Sequence, residues 1–208
     1  MLEILHRPVP LSYQEGLRLQ QQHLDAILSG TRGDTILLLE HEPVYTIGRL
    51  RDQSSLRDSA ALPFPVFETN RGGQATYHGP GQLVGYPILD LNERGRDLHH
   101  HLRHLEEALI RACGVFGVSA GRRPGLTGVW VEDRKLASIG VGVRKWISMH
   151  GFAINITRQS LPPFSAIHPC GLAGVIMTSL ESEAGREISM ADAAVALTTE
   201  LRALFTLE

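Results

Sequence analysis

The sequence has little lysine, little cysteine and no long hydrophobic run, and each shortage restricts what the protein can be. Lys135 and Lys145 are the only lysines among 20 basic residues. Those residues and 22 acidic ones give a formal net charge of -2, which argues against a nucleic-acid or membrane partner. The longest aliphatic run, Ile36 to Leu39, is far too short to span a bilayer. Because the amino-terminal MLEILHRPVP also lacks the basic start and apolar core of a signal peptide, we expect a cytoplasmic protein.

The chain has two cysteines, Cys113 and Cys170, and we expect no disulfide between them in a reducing compartment. Cys113 continues the apolar side of a predicted helix, which favours an inert core cysteine. Cys170 lies between Pro169 and Gly171 in a proline-rich loop, where a thiol can be exposed in a cleft. Since a thiol is mostly protonated at neutral pH, a nucleophilic Cys170 needs a base or a cation beside it. Four side chains are candidates for that partner: His78, His150, His168 and Lys135.

The overall composition, 43% hydrophobic and 20% charged, is that of an ordinary soluble globular protein. With 208 residues the chain is long enough to bury a substantial core. We find no internal repeat, linker or low-complexity segment. The sequence therefore predicts a single domain over residues 1–208.

Three helices are indicated by capping residues followed by apolar residues at helical spacing. Ser12 begins a capping-box pattern, and the apolar periodicity that follows it continues to Gly30. Asp97 can cap a second helix, which is rich in leucine and histidine. Ser189 starts a third helix near the carboxyl end.

Strands are indicated by short apolar or alternating segments. They are predicted over 34–39, 65–69 and 83–91, and as an antiparallel meander within 128–156. The segment HEPVYTIGR, residues 41–49, contains a proline and a glycine, so we interpret it as irregular or as an edge. Helices and strands together predict an α/β domain.

The most unusual stretch is RGGQATYHGPGQ, from Arg71 to Gln82. Four glycines and one proline among its twelve residues predict a loop rather than a helix or strand. Its other side chains donate, accept or stack, which favours a binding surface over a linker. In the predicted meander, Gly140, Gly142 and Gly151 interrupt the strands, and they indicate a bulge or the close passage of a ligand or second backbone.

A metal site can be considered in the helix that follows Asp97. His100 and His104 lie one helical turn apart there, a spacing that suits two metal ligands. A solvated polar face explains the same pattern, and cysteine or carboxylate partners at suitable spacing are lacking. We therefore expect no metal site.

Four segments carry a resemblance to a known family: RGGQATYHGPGQLVGYPI, GLTGVWVEDRKLASIG, HGFAIN and the PCG loop. In this order and at this spacing they resemble the lipoyl(octanoyl) transferases, which belong with the biotin and lipoate protein ligases, and the match spans about three quarters of the chain. The resemblance implies an α/β fold of the α+β type, with a central mixed, largely antiparallel sheet flanked by helices.

The resemblance also implies a reaction. An octanoyl group would pass from octanoyl-acyl carrier protein to a lysine of lipoyl domains, including that of the glycine-cleavage H protein, as the first step of protein lipoylation. No cofactor would be needed because the thioester is already activated. Carrier proteins of this type are acidic, so a basic approach surface is expected. Weak candidates for that surface are Arg122, Arg123, Arg134, Arg144 and Lys145.

The resemblance assigns roles to residues by motif position. Cys170 would be the acyl-thioester nucleophile, and Lys135 would be the residue that activates it. From the chemistry of the two groups we infer that Lys135 acts first as a cation and then as the base that accepts a proton from the incoming amine. His168 departs from the family pattern, which argues against it as the base. The implied acyl pocket comprises Arg71, Gly72, Gly73, Gln74, Ala75, Thr76, Tyr77, His78, Ser138, Ile139, Gly140, Gly151, Phe152 and Ala153.

Three alternatives remain open from the sequence. An ATP-dependent lipoate or biotin ligase of the same fold would have no need of Cys170. A non-catalytic acyl-binding scaffold would bind the chain without forming a bond to it. A Cys-His hydrolase that uses His78 or His150 would release free fatty acid.

Overall fold

The computed structural model describes residues 2–51, 53–56, 61–169 and 174–206. Its strands are β1 (Glu3–Leu11), β2 (Thr35–His41), β3 (Val44–Ile47), β4 (Val66–Glu68), β5 (Thr76–His78), β6 (Gln82–Ile88), β7 (Gly121–Arg123), β8 (Leu126–Val131), β9 (Arg134–Arg144), β10 (Ile147–Asn155) and β11 (Ile176–Met177). Its α-helices are α1 (Tyr13–Leu28), α2 (Leu98–Val115), α3 (Leu180–Ala184) and α4 (Met190–Phe205). None of the helices in the described residues is long and apolar enough to cross a bilayer.

Eight strands form one large sheet in the order β1-β2-β6-β10-β9-β8-β7, with β11 beside β9. The pairs β1–β2 and β11–β9 are parallel, and the other pairs are antiparallel. A smaller sheet has the order β4-β3-β5. The predicted mixed, largely antiparallel sheet flanked by helices is confirmed.

The central strand β2 explains why its sequence is continuously apolar. Side chains alternate across a strand, so Ile36 and Leu38 enter the core on one face and Leu37 and Leu39 enter the core on the other. The first core contains residues of α2 and α4, and the second contains Leu24 of α1. The large sheet is therefore covered by helices on both faces.

The three predicted helices are confirmed together with their amino-terminal caps. The Ser12 side chain accepts from Glu15 N at 3.2 Å, and that of Asp97 accepts from His100 N at 2.9 Å. Ser189 caps α4 in the same way. These bonds satisfy backbone N–H groups that have no partner inside the helix. Cys113, in α2, is fully buried in the core as predicted.

Two predictions about the chain were wrong. Residues 41–49 are not irregular or an edge, because β3 is the buried central strand of the small sheet. The stretch from Arg71 to Gln82 is not wholly a loop, because β5 lies within it and pairs with β3. In both places the flanking glycine and proline residues obscure a short strand. The strand β1 was missed because it is an edge strand, mostly exposed and interrupted by proline.

Candidate active site

The glycine-rich stretch passes directly over β9. Gly72 N donates to Val141 O at 2.9 Å, and a Cβ on Gly140 would lie only 2.7 Å from Gly72 O. Between β10 and β6, a Cβ on Gly151 would lie 2.3 Å from Gly85 O. The predicted close passage of a second backbone is confirmed at both glycines, although the strands continue through them.

A narrow cavity of about 40 Å³ lies between the glycine-rich stretch, β6, β9, β10 and the start of α1. All of the residues predicted for the acyl pocket line it except Gly72 and Tyr77. Gly72 instead lines a neighbouring groove. Four further lining residues were not predicted for the pocket: Tyr13, Val84, Tyr86 and His150. That this cavity binds an acyl chain stays a prediction.

The alternation of side chains along β5 separates Tyr77 from its neighbours. Thr76 and His78 point to the cavity, while Tyr77 lies in the core of the small sheet with Tyr45 and Phe164. Its ring centre is 5.5 Å from that of Tyr45 and 5.7 Å from that of Phe164. The assignment of Tyr77 to the cavity wall is therefore corrected, since a strand presents only alternate residues to one side.

Arg71 ties the glycine-rich stretch to the small sheet. Its guanidinium donates to Thr46 O at 2.9 Å, Thr46 Oγ1 at 2.7 Å, Gln74 O at 2.8 Å and Gly72 O at 2.9 Å. The side chain is buried, and a buried cation is tolerated only with such a set of acceptors. Arg71 therefore shapes the cavity wall and contributes a fixed positive charge to it.

Several polar atoms that face the cavity are buried without a hydrogen-bond partner among the described residues. They are Gln74 Oε1, Thr76 Oγ1, Ser138 Oγ and His150 Nδ1. A buried polar atom left unpaired costs about 1–3 kcal/mol. The cavity is thus polar along one part of its wall, where water or the polar end of a ligand can bind.

The histidines near the cavity are held in their neutral form. Burial lowers the pKa of His78 to about 3 and that of His150 to about 4. His41, which shares a 2.6 Å hydrogen bond with Tyr86, has its pKa lowered by burial to about 4. A histidine that stays neutral at pH 7 supplies no positive charge for a thiolate, which weighs against His78 and His150 as cationic partners of a cysteine.

Lys135 lies in the groove beside the cavity. The side chain is 2% exposed; its Nζ donates to Thr127 O at 3.2 Å and lies 5.1 Å from the ring centre of Trp130. The groove has a volume of about 520 Å³. It shares three lining residues with the cavity: Gly73, Ile139 and Gly140.

Cys170 lies outside the described residues, so its predicted contact with Lys135 stays a prediction. Downstream of Cys170, Met177 of β11 pairs with Lys135 of β9. Upstream, His168 N donates to Ser55 O at 2.7 Å. The other cysteine, Cys113, is buried, and burial raises the pKa of its thiol to about 12.

The remaining candidate residues have internal partners or are exposed. Arg122 is paired with Glu106 and Glu107, and Arg134 with Glu183. Arg123 stacks over Trp130, while Arg144 and Lys145 are exposed. The rings of His100 and His104 lie 4.1 Å apart, yet the described part of the chain contains no group of three metal-ligating side chains.

Comparison with known proteins gives consistent results. The model of the lipoyl protein ligase A/B catalytic domain matches residues 12–202. An octanoyltransferase of Geobacter sulfurreducens is 54% identical over 187 residues, covering 90% of this chain and 78% of that protein. An octanoyltransferase of Geobacter metallireducens is 51% identical, covering 88% of this chain and 84% of that protein.

A solved structure shares the fold at low sequence identity. The bipartite lipoate protein ligase of Thermoplasma acidophilum, studied with its E2 lipoyl domain, superposes with a TM-score of 0.68 at 16% identity, covering 97% of this chain and 82% of that one. Since the family model spans most of the chain and the relatives are about half identical to it, the chain belongs to the lipoyl protein ligase A/B catalytic-domain family and, within it, to the octanoyltransferases.

Proposed function

We propose that this octanoyltransferase transfers an octanoyl group from octanoyl-acyl carrier protein to a lysine of a lipoyl domain, through an acyl-thioester on Cys170. The name shared by its relatives supports the acyl group. The lipoate ligase of the same fold that was studied with its E2 lipoyl domain supports the class of acceptor. The glycine-cleavage H protein is a second acceptor of this class.

The position of Lys135 carries the proposal. Its groove shares Gly73, Ile139 and Gly140 with the wall of the narrow cavity, and we place the carbonyl end of an alkyl chain in the cavity beside these residues. Lys135 is one of only two lysines, and it is buried, whereas Lys145 is exposed. Burying an amine costs free energy, and a chemical role explains that cost better than a structural role does.

In the first half-reaction the Cys170 thiolate attacks the carbonyl carbon of the carrier's thioester. The new bond joins the Cys170 sulfur to the octanoyl carbon, and the bond to the carrier's sulfur breaks. The departing thiolate takes a proton from the Lys135 ammonium and leaves as a thiol. This step replaces one thioester by a similar one, so it needs little driving force.

In the second half-reaction the amine of the acceptor lysine attacks the octanoyl thioester. The neutral Lys135 amine takes one proton from the attacking nitrogen, an amide bond forms, and Cys170 leaves as a thiolate. The thiolate and ammonium are thereby restored. The same lysine acts as a cation in the first half and as a base in the second.

The cavity would select the length of the acyl chain. Burial of about seven carbons at ~0.8 kcal/mol per methylene provides on the order of 5 kcal/mol, which favours a medium chain over a short one. Phe152 packs across Gly85, where a Cβ would lie 2.1 Å from its ring carbon. A longer chain would meet this packed wall and be rejected by overpacking.

Intact mass spectrometry after incubation with octanoyl carrier protein tests the proposal. We expect one octanoyl adduct on the wild type, removable by hydroxylamine, none on Cys170→Ser, and much slower adduct formation on Lys135→Ala. The chain offers matched controls, since Cys113→Ala and Lys145→Ala should keep the adduct. An adduct that persists in Cys170→Ser would refute the thioester route.

The same assay separates the two other functions that the fold allows. An ATP-dependent ligase would use free octanoate and ATP, and it would keep its activity in Cys170→Ser. A non-catalytic scaffold would bind octanoate, as calorimetry would show, without forming an adduct. We expect transfer to a purified lipoyl domain without ATP.

We also propose that the reaction takes place in the cytoplasm. Cys113 is a free, fully buried thiol, an arrangement that suits a reducing compartment. Cell fractionation followed by immunoblotting checks this location, and recovery in a membrane or secreted fraction would contradict it.

A further inference from the structure

A buried carboxylate lies behind Lys135. Glu106, in α2, is 1% exposed, and its Oε1 accepts a hydrogen bond from Gly128 N at 3.1 Å. Its Oε2 accepts from Arg122 Nε at 3.0 Å and from Arg103 Nη1 at 2.5 Å. The two arginines hold one carboxylate oxygen and direct the other at the backbone of β8.

A single peptide group connects Glu106 with Lys135. The N–H that Glu106 accepts belongs to the same peptide as the Thr127 carbonyl, and that carbonyl accepts from Lys135 Nζ at 3.2 Å. Hydrogen bonds in series polarise one another, so a carboxylate at the N–H end makes the carbonyl oxygen a stronger acceptor. The negative charge therefore acts on the lysine through one planar unit.

Gly128 permits this arrangement. Its φ is +122°, and a Cβ there would lie 2.5 Å from Ala137 O and 3.0 Å from Lys135 Cε. Any side chain at position 128 would displace either the carbonyl of β9 or the lysine itself. Glycine lets the peptide lie directly against the lysine side chain.

We propose that Glu106 is a positioning residue for the transfer reaction, which fixes the Thr127–Gly128 peptide and holds the charge of Lys135 in place. The inference rests on the proposed function, because it takes its meaning from the role of Lys135 there. In this role Glu106 acts through the peptide and not directly on the substrate.

Glu106→Gln tests the inference, because glutamine keeps an oxygen for Gly128 N–H but removes the charge. We expect kcat to fall about tenfold while KM for the donor changes by less than about twofold, since charge-assisted hydrogen bonds are roughly twice as strong as neutral ones. Glu107→Gln is the matched control, because it removes a charge that faces the same Arg122, at 2.8 Å, while Glu107 is not the residue that accepts from Gly128 N. Its kcat should match the wild type.

A second variant tests the inference if Glu106→Gln fails to fold. Gly128→Ala displaces the same peptide without changing the charged cluster, and we expect it to lower kcat as well. Thermal unfolding of each variant identifies any that fail to fold, and the inference remains testable with the other.

A double-mutant cycle distinguishes positioning from general damage. If Glu106 acts through Lys135, Glu106→Gln combined with Lys135→Ala should be as slow as Lys135→Ala alone, within about twofold. Effects that multiply, or a wild-type rate in Glu106→Gln, would overturn the inference and leave the proposed function intact. A fully active Lys135→Ala would overturn both.

Discussion

Single residues determine how the molecule responds to acid, because several histidines are buried in their neutral form. Burial lowers the pKa of His41, His101 and His150 to about 4 and that of His78 to about 3. In the unfolded chain each has its ordinary pKa near 6.5, so below that pH the unfolded state binds more protons than the folded state. Stability should therefore fall between about pH 6.5 and pH 4, by up to ~1.4 kcal/mol per pH unit for each such histidine.

His101→Phe is predicted to flatten this pH dependence. Both ring nitrogens of His101 lack a partner among the described residues, and its ring packs 5.7 Å from that of Phe205. When the pH is lowered from 7 to 5, the unfolding free energy should fall less in the variant than in the wild type, and the difference should be about 2 kcal/mol. Urea titrations at the two pH values measure this, with His99→Phe on the exposed side of α2 as the control. An unchanged pH dependence would contradict the assignment.

Among the elements, the close packing of β9 under the glycine-rich stretch shapes the cavity. Gly140→Ala would bring a Cβ to 2.7 Å from Gly72 O, and backbone cannot yield as a flexible side chain can. We predict a loss of about 1–3 kcal/mol in unfolding free energy and slower octanoylation. Chemical denaturation and the adduct assay measure the two effects.

Gly114→Ala serves as the control for that prediction. Gly114 lies in α2, and a Cβ there would meet nothing within 4 Å. The same change of residue should raise stability by about 0.5–1 kcal/mol at this position. A loss of stability at both glycines would mean that the contact with Gly72 is not the cause.

Elements with a local signal could be predicted from the sequence, and those that depend on neighbours could not. Ser12, Asp97 and Ser189 mark helix starts because a cap acts within one turn. The short β3 and β5 form because each supplies the other's hydrogen bonds, and no local pattern records that pairing.

The site was predictable by the same rule. The pocket positions in the glycine-rich stretch, β9 and β10 came from family motifs, and most of them do line one cavity. Tyr13 joins them from α1, outside every motif, whereas Tyr86 of β6 lies within the first motif but was not assigned to the pocket. Only the packing of α2 against β8 reveals the contact of Glu106 with Gly128.

For the whole molecule, the proposed octanoyl chain would need a wider cavity than the structure shows. The cavity's volume of about 40 Å³ leaves room for roughly one water molecule. The cavity is bounded by residues of both sheets, so a movement of the small sheet's β5 relative to β9 and β10 would widen it. That residues 1–208 form a single domain stays a prediction.

The stability of the acyl-enzyme should rise with the length of the chain that fills this cavity. An octanoyl adduct buries four more methylenes than a butyryl adduct, which predicts about 3 kcal/mol of additional stabilisation. Denaturation of the purified adducts measures the difference, and Cys170→Ser treated with the same donors should show no change. Equal stabilities for the two adducts would place the chain outside the cavity.

The guanidinium that Arg71 buries in the cavity wall has a consequence for the kind of acyl chain that the cavity would admit. Its positive charge already helps to lower the pKa of His78 and His150, after the larger effect of burial. An acyl chain that carried an ammonium group would lose its hydration in the cavity and would also meet the fixed like charge of Arg71. In the proposed reaction, the cavity wall would therefore discriminate by charge as well as by length, and it would favour uncharged fatty chains.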